Sequence, residues 1–251
     1  MGMEMGEKKF EITGNCLKLM AMITMLIDHF AYGIYYRFYE IDELYRIMRL
    51  IGRLAFPVYC FLLVEGFFHT RDFRKYGIRL LILATISELP FDISVNMHQS
   101  FFDYNNVIFT LLIGLLTIGA IDYIKNDNIK RLDNQAMQTF AILVVYAMGC
   151  LMAYIMHTDY GYTGVTVIVA MYYLYGTDMS HRLLSFATAI IILVIGCGTR
   201  EAAAFVMVFP IAFYEGNRGS DSKVLRYCFN LFYPVHLLVI GVAAYLLSQA
   251  G

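Results

Sequence analysis

Runs of apolar residues long enough to cross a bilayer recur along this chain, and several carry ionisable side chains in their interior. A hydrophobic run of roughly 20 residues spans the hydrocarbon core as a helix. The first, LKLMAMITMLIDHFAYGIYY over residues 17–36, contains Asp28 and His29. An ionisable group in such a helix is costly and is by default a functional hypothesis. Lys18 precedes His29 by eleven residues, nearly three whole turns at about 100° per residue, which places the two on one face about 16 Å apart. One helix thus carries a cation near one membrane surface and an imidazole deep inside.

The rest of the chain reads the same way. It has 251 residues, of which 59% are hydrophobic and 16% charged, and its mean hydropathy is +0.60. That is too apolar for a soluble domain of this length. The net charge of −1, with no basic tract, argues against nucleic acid as a partner. Cys16, Cys60, Cys150, Cys197 and Cys228 have no paired spacing, so the sequence suggests neither a disulfide framework nor a zinc site, and no metal is expected. No P-loop, Gly-rich dinucleotide fingerprint or internal repeat is found, which argues against an ATP-driven pump.

About nine apolar segments are expected, at 17–36, 47–68, 76–95, 106–123, 137–156, 161–175, 182–196, 200–214 and 228–248. The fold class is therefore an all-α polytopic membrane bundle without a soluble domain, a single unit over 1–251 preceded by a cytoplasmic arm at 1–16. Basic residues fall in alternate connections: Lys8 and Lys9; Arg71, Arg74 and Lys75; Lys125, Lys130 and Arg131; Arg182; then Arg218, Lys223 and Arg226. Cytoplasmic loops carry such an excess, so the N-terminus is assigned to the inside and the C-terminus to the outside. The length of the first segment and its Asp28-His29 insertion favour a retained helix over a signal peptide.

Polar residues gather in particular segments. The second holds Arg49 and Arg53 one turn apart, Pro57 as a kink, and Glu65 with His69 at i,i+4. The third holds Glu88 and Asp92 on one face around Pro90, the fourth opens with Asn105, Asn106 and Thr110, and the last offers Asn230, Tyr233 and His236 around Pro234. Each central Asp, Lys or Arg costs about 2.5 to 3.5 kcal/mol on an insertion scale. Such groups must meet in a bundle interior or a wet cavity. Either they neutralise one another as interhelical ion pairs, Arg53 with Glu65 or Glu88 for example, or they form a working site. His29 favours the second reading, because imidazole is suited to moving protons near neutral pH. Asp28 projects about 100° away from His29. His29 must borrow an orienting partner from another helix, with Glu88 and Asp92 the candidates. Arg71, Arg74, Lys75 and Arg79 fix topology or receive the phosphates of a nucleotide-bearing donor, with Lys18 at the same membrane face.

The run LKLMAMITMLIDH, followed by RLIGRLAFPVYCFLLVEGFFHTRDFRKYGIRL, ISELPFDIS, FTLLIGLL and FNLFYPVHLLVI, resembles the TraX family over essentially the whole chain. That family includes a conjugative pilin acetylase acting on the N-terminal amine of a membrane-inserted subunit. It is similar more broadly to multi-pass acyltransferases, among them bacterial sugar O-acyltransferases and the lysosomal glucosaminide N-acetyltransferase. The sugar-acylating branch pairs a basic residue with a histidine after ten intervening residues, a spacing that Lys18 and His29 match. The resemblance implies that His29 is catalytic with Lys18 as its basic companion, and that Arg49 and Arg53 correspond to arginines of the following helix.

The expected reaction is transfer of acetyl from cytosolic acetyl-CoA, a donor substrate, to an amine or hydroxyl of a peptide or glycan at the outer side of a bacterial cytoplasmic membrane. His29 would be the general base and Arg53 would stabilise the oxyanion. Two other readings are a proton-coupled transporter relaying through Asp28, Glu65, Glu88 and Asp92, and a structural membrane subunit.

Overall fold

Polar residues at the edges of the apolar runs decide where the helices begin. Thr13, Asp42, Asp72, Asn106, Asn134 and Asp178 each accept a hydrogen bond from a backbone N–H two or three residues on. Each meets one of the donors a helix start leaves unpaired. The computed structural model describes residues 11–95, 103–126 and 134–250. Lys8, Lys9, Lys130 and Arg131, used in the topology argument, lie outside the described residues.

From these caps run α1 (Gly14–Phe30), a π-helical turn (Ala31–Tyr35), the short α2 (Tyr36–Phe38), α3 (Glu43–Gly52), α4 (Ala55–His69) and α5 (Phe73–Ser94). They are followed by α6 (Val107–Lys125), α7 (Gln135–Ile155), α8 (Gly161–Tyr173) and α9 (Met179–Cys197). A 3-10 stretch (Thr199–Met207) leads into α10 (Val208–Ala212), and α11 (Lys223–Ala250) ends the chain. No strand forms among the described residues beyond isolated bridges at Ile12–Tyr214 and Asn105–Thr158.

Six helical stretches are long and apolar enough to cross a membrane: Gly14–Phe38, Glu43–His69, Val107–Lys125, Gln135–Ile155, Met179–Cys197 and Lys223–Ala250. The chain is therefore an integral membrane protein by length and composition of its helices. The other three apolar segments are helical but differ in kind. α5 carries Arg74, Lys75 and Arg79 at one end and Glu88 and Asp92 at the other. α8 has only 13 residues, and its Val165, Val167, Ile168 and Met171 are buried. The 200–214 segment is a 3-10 stretch followed by a five-residue helix.

α8 packs against α4, α6, α7 and α9, so it lies inside a shell of longer helices. α7 is the opposite case. Phe140, Leu143, Met148, Leu151 and Ile155 are all exposed along it, as a lipid-facing helix requires. α1 packs on α3 and α4, and α11 on α5 and α1. Lys18 of α1 lies over the Phe229 ring of α11 at 5.2 Å, and His29 of α1 meets His236 further along α11. Both numbers rise in the same direction, so α1 and α11 run parallel. The start of α1 is tied to the chain just before α11 by Ile12 N–H to Phe213 O at 2.9 Å and Gly14 N–H to Asn217 O at 2.8 Å.

Candidate functional site

His29 sits in the last turn of α1, half-buried, just before the π-helical turn. Such turns are frequent at functional sites because they re-aim the side chains around them. Its Nδ1 lies 2.7 Å from Nε2 of His236, and the rings are parallel, with centroids 5.0 Å apart and 6° between planes. His236 donates from Nδ1 to the Phe232 carbonyl at 2.7 Å, and the Phe232 ring stacks on it at 4.4 Å. Tyr233 presents an edge to both imidazoles, at 6.0 and 5.6 Å. The Tyr233 hydroxyl is buried without a hydrogen-bond partner among the described residues. Pro234 lacks the N–H that would bond Asn230, which loosens α11 where these residues project.

Asp28 faces the other way, as the helical angle requires. It accepts from Arg49 at 2.7 Å, and Arg49 also lies over the Tyr32 ring at 5.1 Å. Gly52 makes this approach possible, because a Cβ there would overlap the Asp28 carboxylate. Arg53 occupies the break between α3 and α4. Pro57 cannot donate to the Arg53 carbonyl four residues back, so the segment breaks there instead of kinking at the proline, which falls within the first turn of α4. The Arg53 guanidinium donates to Glu201 at 3.3 Å and lies beside the Tyr160 hydroxyl. Tyr160 holds a left-handed backbone, φ 62°, with its ring stacked on Phe56 at 3.8 Å. A bulky residue at positive φ is strained and persists where its surroundings over-determine it. Next to it Asp159 accepts from the Tyr104 hydroxyl at 2.7 Å and lies within electrostatic reach of Arg53 and Arg49.

A third group closes the site. Asn106 accepts from Ile108 N–H at 3.0 Å to cap α6, while its amide donates to the Ala84 carbonyl at 2.9 Å and to the Glu88 carboxylate. Asp92 is buried one turn beyond Glu88 on the same face of α5. His29, Asp28, Arg49, Arg53, Glu88, Asp92, Asn106, Tyr233 and His236 thus belong to one end of the bundle, as polar segments of different helices were expected to meet. The partner of His29 does come from another helix, but it is His236 and neither Glu88 nor Asp92. The partner of Arg53 is Glu201, and neither Glu65 nor Glu88. Glu201, Asp159, Tyr160 and Tyr104 are not among the residues the sequence singles out. Glu201 follows Arg200 inside an apolar segment, a signal of the same kind as Asp28-His29, whereas Asp159 and Tyr160 stand in a short connection between apolar segments, where a polar residue is unremarkable.

The remaining residues lie elsewhere. Lys18 stays on Phe229, beside Arg218, and does not reach His29. Glu65 belongs to the far end of α4, where its carboxylate lies 3.5 Å from His69 Nδ1 and accepts from Tyr214 at 3.5 Å. Arg182 is buried near it, donates to the Thr177 carbonyl at 2.6 Å and rests against the Tyr214 ring. A cavity of about 10 Å³ between Glu65, Arg182, Tyr175 and Ser185 has room for one water. Arg71 and Arg74 are exposed beyond this end, and exposed Lys75 pairs with Asp72 at 3.0 Å. The Lys75 N–H bonded to the Asp72 carboxyl holds it below the usual carboxylate range.

Chemically, the His29 end offers an imidazole with an oriented partner, two guanidinium groups and several buried carboxylates, a set able to move a proton beside developing negative charge. It defines a polytopic helical membrane protein with a polar site built from facing helices. Residues 13–244 match the family model described as TraX protein, and the chain belongs to the TraX family. It is 29% identical over 246 residues to a protein of Dichelobacter nodosus named probable fimbrial assembly protein FimC, serogroup H1, covering 89% of this chain and 92% of that one. An uncharacterized protein of Rickettsia prowazekii (strain Madrid E) is 42% identical over 72 residues, 28% of this chain and 26% of its own. No solved structure matches this chain.

Proposed function

We propose that this chain is a membrane-embedded acetyltransferase, moving an acetyl group from acetyl-CoA to the N-terminal amine of a membrane or secreted peptide, pilin-like in kind. The His29 imidazole, hydrogen-bonded through Nδ1 and set among the arginines and carboxylates of four other segments, carries the reading. His29 removes the proton as the acceptor nitrogen attacks the thioester carbonyl. Arg53, with five N–H donors of which Glu201 engages one, stabilises the oxyanion. Glu88 and Asp92 shape the acceptor side. The thiolate of CoA leaves with the proton taken by His29.

In this reading the protein lies in a bacterial cytoplasmic membrane with nine crossings, the N-terminus inside and the C-terminus outside. The parallel course of α1 and α11 supports an odd count, since it sets the start of α1 and the end of α11 on opposite faces. The His29 end then faces outward, and Arg71, Arg74 and Lys75 meet the donor's phosphates on the cytoplasmic side. The name of the Dichelobacter relative, a fimbrial assembly protein, supports a surface-appendage acceptor.

Mass spectrometry of secreted and surface peptides from cells with and without this protein tests the proposal. An added acetyl on a peptide N-terminus, present only with the protein, is the expected result. Acetyl gained on envelope glycans alone would move the reading to a glycan acceptor. In purified protein, His29→Ala lowers label transfer from acetyl-CoA by about 10²- to 10⁴-fold; transfer at the wild-type rate would sink the assignment.

A further inference from the structure

The imidazole pair carries more information than proximity, because its hydrogen bonds have a direction. A backbone carbonyl can only accept. The bond between His236 Nδ1 and the Phe232 carbonyl therefore places the proton on Nδ1 of His236. In the neutral ring Nε2 is then an acceptor. Facing it at 2.7 Å is Nδ1 of His29, which must donate. That leaves Nε2 as the basic nitrogen of His29.

We propose that His236 is the positioning residue for His29: it holds the ring in the Nδ1–H form and so makes Nε2 the atom that takes the acceptor's proton. The inference rests on the acetyltransferase reading for its consequence, though its geometry does not. In serine hydrolases a carboxylate does this work, setting both the tautomer and the orientation of the catalytic histidine. The hydrogen bonds that His29 and His236 make among the described residues go to each other and to the Phe232 carbonyl, not to a carboxylate. The nearest in sequence, Asp28, is engaged by Arg49 and confined by Gly52. The fold supplies a second imidazole instead, and several features hold that imidazole still. The Phe232 ring stacks on one side of it with 15° between planes, and the Tyr233 edge stands against it. The Phe232 carbonyl is four residues back on the same helix, so ring and acceptor move together. The two imidazoles meet edge to edge with 6° between their planes, which fixes the plane of His29 as well.

A neutral orienter has a consequence that a carboxylate does not. When Nε2 takes a proton, His29 becomes a cation whose Nδ1–H still points at His236 Nε2, and that nitrogen can receive the proton in turn. The positive charge is then shared by two rings rather than cancelled by a fixed anion.

The test uses the full chain in detergent or nanodiscs with ¹⁵N-labelled histidine. In the wild type, near neutral pH, Nε2 of His29 should show a pyridine-type resonance and Nδ1 a pyrrole-type resonance coupled across to His236. His236→Leu keeps apolar volume but removes the acceptor, and the His29 proton should move to Nε2, with transfer falling by about 100-fold. His236→Gln places an amide oxygen near the lost Nε2; it should keep the Nδ1–H form and recover transfer to within about tenfold of the wild type. A pyrrole-type Nε2 in the wild type, or an unchanged His29 spectrum in His236→Leu, overturns the proposal. Should His236→Leu not fold, the wild-type and His236→Gln spectra still decide. If the tautomer behaves as stated and the wild type transfers no acetyl group, the acetyltransferase reading fails and the positioning inference stands.

Discussion

Arg53, in the break before α4, and Glu65 within it are twelve residues apart, about 18 Å of helix, and the two ends of α4 treat buried charge differently. At the Glu65 end the carboxylate lies between Tyr214 and His69, and Arg182 donates to a backbone carbonyl while its cation rests on an aromatic face, with only its Nε buried and unpartnered among the described residues of this cluster. The groups are few, they come from neighbouring helices, and His69 is 61% exposed. At the Arg53 end Asp28, Glu88 and Glu201 each have one oxygen engaged and the other buried with no partner among the described residues. The Tyr233 hydroxyl is in the same state. An unsatisfied buried polar group costs about 1–3 kcal/mol. A cluster that accumulates several of them is poor structural glue, and costs of this kind concentrate where a chain binds or transforms something. The Glu65 end has the character of an interhelical tie, the Arg53 end that of a site.

Removing Arg53 should break the contrast most severely. Arg53→Ala leaves Glu201, 3% exposed, without its cation. Breaking a buried pair from one side costs about 3–5 kcal/mol. Thermal unfolding in detergent should show a loss on that scale, together with loss of acetyl transfer. Adding Glu201→Gln to Arg53→Ala removes the stranded charge, so most of the stability should return while transfer stays absent. If the double variant regains transfer, Arg53 has only a structural role and the two ends of α4 are alike.

Gly52→Ala sharpens the same contrast at a smaller scale. The added methyl meets the Asp28 carboxylate, which is paired with Arg49 at 2.7 Å. Overpacking of this kind costs about 1–3 kcal/mol, and because Asp28 is joined by its backbone to His29, transfer should fall as well. A Gly52→Ala protein with wild-type stability would mean that α1 and α3 separate easily, and that the site is less tightly held than the bond distances imply.

How far the sequence discloses this arrangement depends on whether the signal is local. Helix starts are local: Thr13, Asp42, Asp72, Asn106, Asn134 and Asp178 stand beside apolar runs, and all of them cap. The suspicion attached to Asp28, His29, Arg49 and Arg53 is also local, since each is ionisable inside an apolar run. Partnership is not local. His236 lies 207 residues from His29 and Glu201 148 residues from Arg53, so nothing in the spacing of either helix selects them. Glu65 falls in the same apolar segment as Arg53, yet residue separation along a helix is also distance, and that puts it at the other end of α4. Lys18 shares a face with His29 but stands about 16 Å along the helix from it, and it accordingly lies on Phe229 and not at the imidazole. The short α8 escapes the length rule because neighbouring helices cover it, which hydropathy cannot register.

The smallest effect is expected at His69, and it tests the quiet half of the comparison. His69 donates to the Glu65 backbone carbonyl at 2.9 Å and lies 3.5 Å from the Glu65 carboxylate, with most of its side chain exposed. Exposed pairs contribute roughly 0–1 kcal/mol, so His69→Ala should lower stability by no more than about that and leave acetyl transfer within about twofold of the wild type. Glu65 would keep the Tyr214 hydroxyl, and Arg182 would keep the Thr177 carbonyl. A large fall in transfer without a fall in stability would show that a proton of the reaction passes through His69 and Glu65. The Glu65 cluster would then belong to the reaction, and the division drawn along α4 would have to be abandoned.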